Sequence, residues 1–136
     1  MSVIKSKRGE SQVQFLQTAR DLFKFTQEQC VKLPKRYTFF GKMQTFDCAS
    51  RMMTNVKRGN SIYPRNNHEV QMRRDYFLTA LSELQVLAEH IDDLRGLFNI
   101  KDTIMVKWME LLTDEIKLLK ALVKKDNERF QGAFEN

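Results

Sequence analysis

Few residues in this sequence are of types that could perform catalysis: two histidines (His68 and His90), two cysteines (Cys30 and Cys48) and scattered carboxylates. A di-metal carboxylate centre in a helical bundle needs inward glutamates and Glu-x-x-His pairs. Arg65 and Leu87 stand three residues before the histidines, so neither pair forms. The cysteines have no Cys-x-x-Cys or Cys/His spacing. Both fall inside helical patterns, which predicts two buried free thiols in a reducing compartment. Asp114 and Glu115 are adjacent carboxylates, but neighbours on a helix point about 100° apart. With Lys117 and Lys120 close by, solvated acids are expected there. Arg58-Gly59-Asn60-Ser61 reads as a helix stop, not a phosphate-cradling glycine loop. The expectation is a non-enzyme with no metal and no cofactor.

The remaining chemistry is positive charge. From Lys32 to Arg74 there are ten Lys and Arg against two acids, Asp47 and Glu69. That local charge of +8 exceeds the +6 of the whole 136-residue chain, so the remainder sums to −2. Concentrated cations point to phosphate neutralisation, hence to nucleic acid, although charge alone does not specify a fold. A face serving solubility alone would mix its signs.

Four helical patterns must position these residues. Leu16, Ala19, Phe23, Thr26 and Cys30 recur at three- and four-residue spacing, widened by Phe15 and Leu22, and predict a helix over Glu10 to Leu33. Pro34 ends it. A second helix is expected over Arg36 to Arg58, with Phe40, Met43, Phe46, Ser50, Met53 and Val56 inward and Gly59-Asn60 as its stop. Phe39, Phe40, Met52 and Met53 give it apolar character on more than one face, which suggests a second packing partner, another copy of the chain or an unrelated protein. A third helix is expected over Asn67 to Phe98, capped by Asn66 with Glu69 three residues on. Its stripe is Met72, Tyr76, Ala80, Leu84, Leu87, Ile91, Leu94 and Phe98. A fourth runs to about Arg129, capped by Asn99 or Asp102. Its stripe is Ile104, Trp108, Leu111, Glu115, Leu118 and Leu122, and the charge on Glu115 shifts the expected core towards Leu111, Leu112, Leu118 and Leu119.

Length, two prolines, five glycines and the absence of alternating β-branched runs fit one all-α domain. Short junctions make sequential helices antiparallel neighbours, so an up-down-up-down four-helix bundle is the economical solution. The expected organisation is a flexible basic segment over 1–9, the bundle over 10–130 and a frayed end over 131–136. In that topology Lys57, Arg58, Arg65, Arg73 and Arg74 gather at one end, near Lys5, Lys7, Arg8, Lys124 and Lys125. Lys32, Lys35 and Arg36 fall at the other, among Glu89, Asp92, Asp93 and Asp102. No apolar run approaches the roughly 20 residues of a membrane span, and the start of the chain has no signal-peptide pattern. The expected location is the cytoplasm. Trp108 and the Tyr37-Thr38-Phe39-Phe40 segment could stack on bases, but aromatics at helical spacing are more often core. Tyr63, in a loop beside Arg58 and Arg65, is the stronger stacking candidate.

The Leu33-Pro34-Lys35-Arg36-Tyr37 break, the Lys57-Arg58-Gly59-Asn60 close and the Arg73-Arg74-Asp75 start of the third helix resemble a four-helix-bundle superfamily with two groups. One is the accessory variability protein of diversity-generating retroelements; the other is encoded by intervening sequences in bacterial 23S ribosomal RNA genes. The resemblance covers roughly Phe15 to Leu122. The second group carries a Ser-Ile-Pro-Ser-Asn-Ile-Ala-Glu-Gly-like segment in its second helix. Here Ser50 to Gly59 has no proline, which favours the retroelement group. That resemblance implies a homopentamer that binds a reverse transcriptase and its RNA or DNA without catalysing synthesis. It would place Lys35, Arg36, Arg51, Lys57, Arg58, Arg65, Arg73 and Arg74 on the nucleic-acid surface, neutralising phosphates without reading sequence. The alternative is a structural interaction module, like the ribosomal-insertion group, with a protein partner.

Overall fold

A computed structural model describes the backbone of residues 3–37 and 41–134, and side chains from Val13 onward except at Tyr37. The described chain is helical: α1 (Val3–Lys32), a 3-10 turn (Lys35–Tyr37), α2 (Met43–Asn60), α3 (Asn67–Leu97) and α4 (Asp102–Phe130). Helices α1 and α3 each pack on both α2 and α4, and α2 on α3 is the broadest contact, a pattern that fits a bundle. No helix among the described residues is long and apolar enough to cross a membrane.

Helix boundaries differ from the sequence expectation for identifiable reasons. Helix α1 begins at Val3, so residues 3–9, expected as a flexible segment, belong to it. Helix α2 starts at Met43 and not at Arg36. Gly41 stands at φ +124°, a conformation closed to a right-handed helix and strained for any side chain. Phe39 and Phe40, assigned to apolar faces of α2, and the Thr38–Phe40 part of the aromatic segment lie outside the described residues. Asn66 caps α3 as expected, its side chain accepting from the Glu69 N–H at 2.9 Å. The Glu69 carboxylate reaches back to the N–H of Arg65 at 2.8 Å, one residue earlier than a capping box requires. Neither Asn99 nor Asp102 caps α4; Lys101 occupies that position and makes no side-chain cap.

The buried faces follow heptad spacing. Phe77, Ala80, Leu84, Leu87, Ile91 and Leu94 line α3, and Arg73 precedes Phe77 on the same face. Met72, expected inside, is 37 % exposed. On α2 the face runs through Thr45, Cys48, Ala49, Met52, Met53, Val56 and Gly59, while Met43 is exposed. Met52 and Met53 therefore belong to one wide inner face and supply no second apolar face themselves. The Gly59-Asn60 stop holds, since α2 ends at Asn60, and Gly59 is buried in its last turn. A Cβ there would lie 2.6 Å from the Phe77 ring, so glycine is what allows α2 and α3 to approach. Trp108 is fully buried, edge-on to Phe25 at 5.9 Å, and donates its indole N–H to Thr26 Oγ1 at 2.9 Å. It is a core residue, inaccessible to a base. Both thiols are free and buried, and burial pushes each up to about 11, so neither is a thiolate at neutral pH.

Glu115, expected in solvent, is fully buried, and neither carboxylate oxygen has a hydrogen-bond partner. Its neighbours on the heptad decide this. Trp108, Leu112 and Leu119 each gain about 1.5–3 kcal/mol from burial, and they fix the rotation of α4. Burial raises the Glu115 carboxyl from 4.5 to about 9, so it enters the core protonated. At about 1.4 kcal/mol per unit, holding that proton at neutral pH costs about 3 kcal/mol, less than the three neighbours supply.

The folded carboxyl keeps a proton that the unfolded chain releases between about 4.5 and about 9. The unfolded state therefore binds fewer protons in that window, and stability falls as pH rises through it. Denaturant titration of wild type should show that decline. Glu115→Met should flatten it and raise stability near neutral pH by about 2–4 kcal/mol. A variant no more stable than wild type would contradict the buried, protonated assignment.

Candidate nucleic-acid interface

The last turn of α2, the loop over 61–66, the first turns of α3 and the last turns of α4 meet at one end of the molecule. Arg73 joins them. Its Nε donates to Asp126 Oδ2 at 2.7 Å, and its Nη1 donates to the carbonyls of Ile62 at 3.0 Å and Gly59 at 3.3 Å. The guanidinium sits 4.9 Å from the centre of the Phe77 ring. Both ionic side chains are about nine-tenths buried. Arg73 was expected to face phosphate; it lies instead inside the protein with Nε and Nη1 committed to these partners. Arginine suits this place because its planar fork serves a carboxylate and two carbonyls at once.

The same region presents other cations outward. Lys57 and Arg58 close α2, Arg65 lies in the loop, and Arg74 follows the buried Arg73; all four are exposed. The Arg58 guanidinium lies 6.0 Å from the centre of the Tyr76 ring, and Arg74 Nη1 donates to Asn127 Oδ1 at 3.2 Å. Arg65 pairs with Glu69 at 3.3 Å, an exposed contact that a phosphate can compete for. Its hydrogen bonds hold the Glu69 carboxyl below its ordinary value, so that acid stays ionised at neutral pH. Helix α4 adds exposed Lys124, Lys125 and Arg129. The Arg74–Asn127 contact brings this segment alongside α3. The exposed acids here are Asp75 and Glu128, with Glu69 partly covered, so cations predominate.

The other expected contacts lie elsewhere. Arg51 is paired with Glu83 at mid-helix. Lys35 and Arg36 follow Pro34, which shares a cleft with Phe98, Asn99 and Lys101 of the α3–α4 junction. The eight candidates thus separate into an exposed group of four at the α2–α3 end, a pair near the α3–α4 junction, one paired mid-helix residue and one buried anchor. Arg129 was missed. Its signal was the same expected topology that placed Lys124 and Lys125 at this end, and the Arg73–Asp126 pairing fixes the register.

His68 lies exposed in the first turn of α3 and His90 is half-buried. Among the described residues no group of three or more His, Cys, Asp or Glu side chains gathers as a metal site requires. What the basic end can do chemically is neutralise phosphate.

Arg73→Ala leaves Asp126 and two carbonyls without their partner, and should cost about 3–5 kcal/mol in chemical denaturation. Arg73→Met with Asp126→Leu removes both charges and should recover most of that loss. Arg74→Ala should change stability by less than about 0.5 kcal/mol. Equal effects at 73 and 74 would contradict the division between anchor and surface.

No protein-family model matches the chain, and neither a curated protein nor a solved structure matches it.

Proposed function

We propose that this chain is a non-catalytic accessory protein that binds nucleic acid through the α2–α3 end of an up-down-up-down helical bundle. The observation that carries the reading is the gathering of exposed Lys57, Arg58, Arg65 and Arg74 around one loop, with Lys124, Lys125 and Arg129 alongside. The topology is supported by paired contacts that run in opposite directions. Arg51 meets Glu83 where Gly59 neighbours Phe77, and Arg73 meets Asp126 where Arg95 meets Asp102. The sequence resemblance narrows the role to support of mutagenic reverse transcription in a diversity-generating retroelement. Its partners are then a reverse transcriptase, RNA or cDNA, and further copies of the chain, in the cytoplasm.

A protein-interaction module is the competing reading, and one feature favours it. Ala88, Met105, Val106 and Met109 line an open groove of about 440 Å³ between α3 and α4, edged by Glu89, Asp92 and Arg95. A basic or amphipathic protein segment could lie there.

A labelled structured RNA titrated at about 50 and about 200 mM salt separates the two. Simultaneous phosphate contacts from the basic end should weaken binding by roughly 10²–10³-fold between those conditions. Reversing Lys57, Arg58, Arg65 and Arg74 to glutamate should abolish binding while leaving the helical circular dichroism unchanged. Weak, non-saturating binding that ignores the reversal would favour the protein-interaction module.

A further inference from the structure

We propose that Tyr63 is a base-stacking platform, so that the ligand of the basic end is an unpaired stretch of RNA or DNA and not a closed duplex. The inference rests on the nucleic-acid reading above and names its substrate class.

Tyr63 is 82 % exposed, the most exposed of the large hydrophobic side chains described. Such exposure on an ordinary loop would signify little. This loop is fixed on both sides of the ring. Before it, the Ile62 N–H donates to the Gly59 carbonyl at 3.2 Å, and the Ile62 carbonyl accepts from buried Arg73 at 3.0 Å. After it, Pro64 restricts its own φ, the Arg65 N–H donates to Glu69, and Asn66 caps α3. The backbone cost of presenting the ring has already been met in folding, which is what preorganisation for a ligand requires.

The surroundings select the ligand. An exposed tyrosine also suits a protein interface, but here the neighbours are cations. Lys57 and Arg58 precede the loop, Arg65 lies in it and Arg74 follows it, all four exposed. Tyr63 edges a cleft of about 400 Å³ with Ile62, Met72, Ser61, Arg65 and Glu69, the last two paired with each other. An aromatic face beside an apolar recess and flanking positive charge matches a flat base carried on a phosphodiester backbone. In a duplex the base faces are stacked on one another and unavailable. Loops, bulges and ends present them. Stacking is indifferent to base identity, so the site would tolerate sequence variation in its template.

Binding of a labelled 15-nucleotide oligouridylate and of a 15-base-pair RNA duplex tests this in the full chain. Tyr63→Ala should weaken oligouridylate binding by about 5–100-fold, the range expected for losing one base–aromatic stack. Duplex affinity and the salt dependence of both should stay as in wild type. Tyr63→Phe keeps the ring and should bind oligouridylate within about twofold of wild type. The ring is exposed, so thermal unfolding should be the same for all three proteins. Unchanged oligouridylate binding by Tyr63→Ala, or an equal loss on both ligands, overturns the stacking role while the basic-end reading stands. No binding of either ligand by wild type overturns both.

Discussion

The buried contact between Arg73 and Asp126 is the constraint on which the arrangement of this end depends. A charge taken out of water is tolerated only with a close counter-charge and satisfied hydrogen bonds. Asp126 supplies the charge from α4, and the carbonyls of Gly59 and Ile62 supply acceptors from the end of α2 and the loop. Three elements must therefore meet α3 in fixed positions for Arg73 to be buried at all. The same geometry brings Phe77 under the guanidinium and against Gly59, where only a residue without a Cβ fits. Burying one arginine thus fixes the neighbours that hold the other basic residues outward.

Specificity and stability are divided between two polar intrusions into the core. The Arg73 cluster pairs its two charges and ties elements together. Glu115 is unpartnered and relieves its burial by keeping a proton. It sits among Trp108, Leu112 and Leu119, whose burial settles how α4 is rotated. The first is a polar network that defines an arrangement; the second is a local cost carried by the surrounding apolar side chains.

Helix number, the Asn66 cap, the α3 stripe from Ala80 onward and the buried thiols were legible in the sequence, because each rests on local spacing. Rotation of the helix faces was less so. On α3 the expected face at Met72 and Tyr76 lay one position from the buried Arg73 and Phe77. On α4 the expected stripe ran through Glu115, but its charge was taken to face solvent and to shift the core towards the neighbouring leucines. Arg73 and Arg74 are indistinguishable by type and adjacent in sequence. Only the partner, more than fifty residues away at Asp126, separates an anchor from a surface cation. Gly59 shows the same limit: its sequence signal is that of a helix stop, and its role as a close contact depends on Phe77.

The central claim is that nucleic acid meets the chain at the α2–α3 end and not along the whole basic stretch. Photocrosslinking of a 4-thiouridine-substituted RNA, with the adducts mapped by peptide mass spectrometry, tests it most directly. The account predicts adducts confined to residues 57–66, Arg74 and residues 124–129, with none at Arg73. Adducts concentrated at Lys35 and Arg36, or spread evenly over the surface, would contradict it.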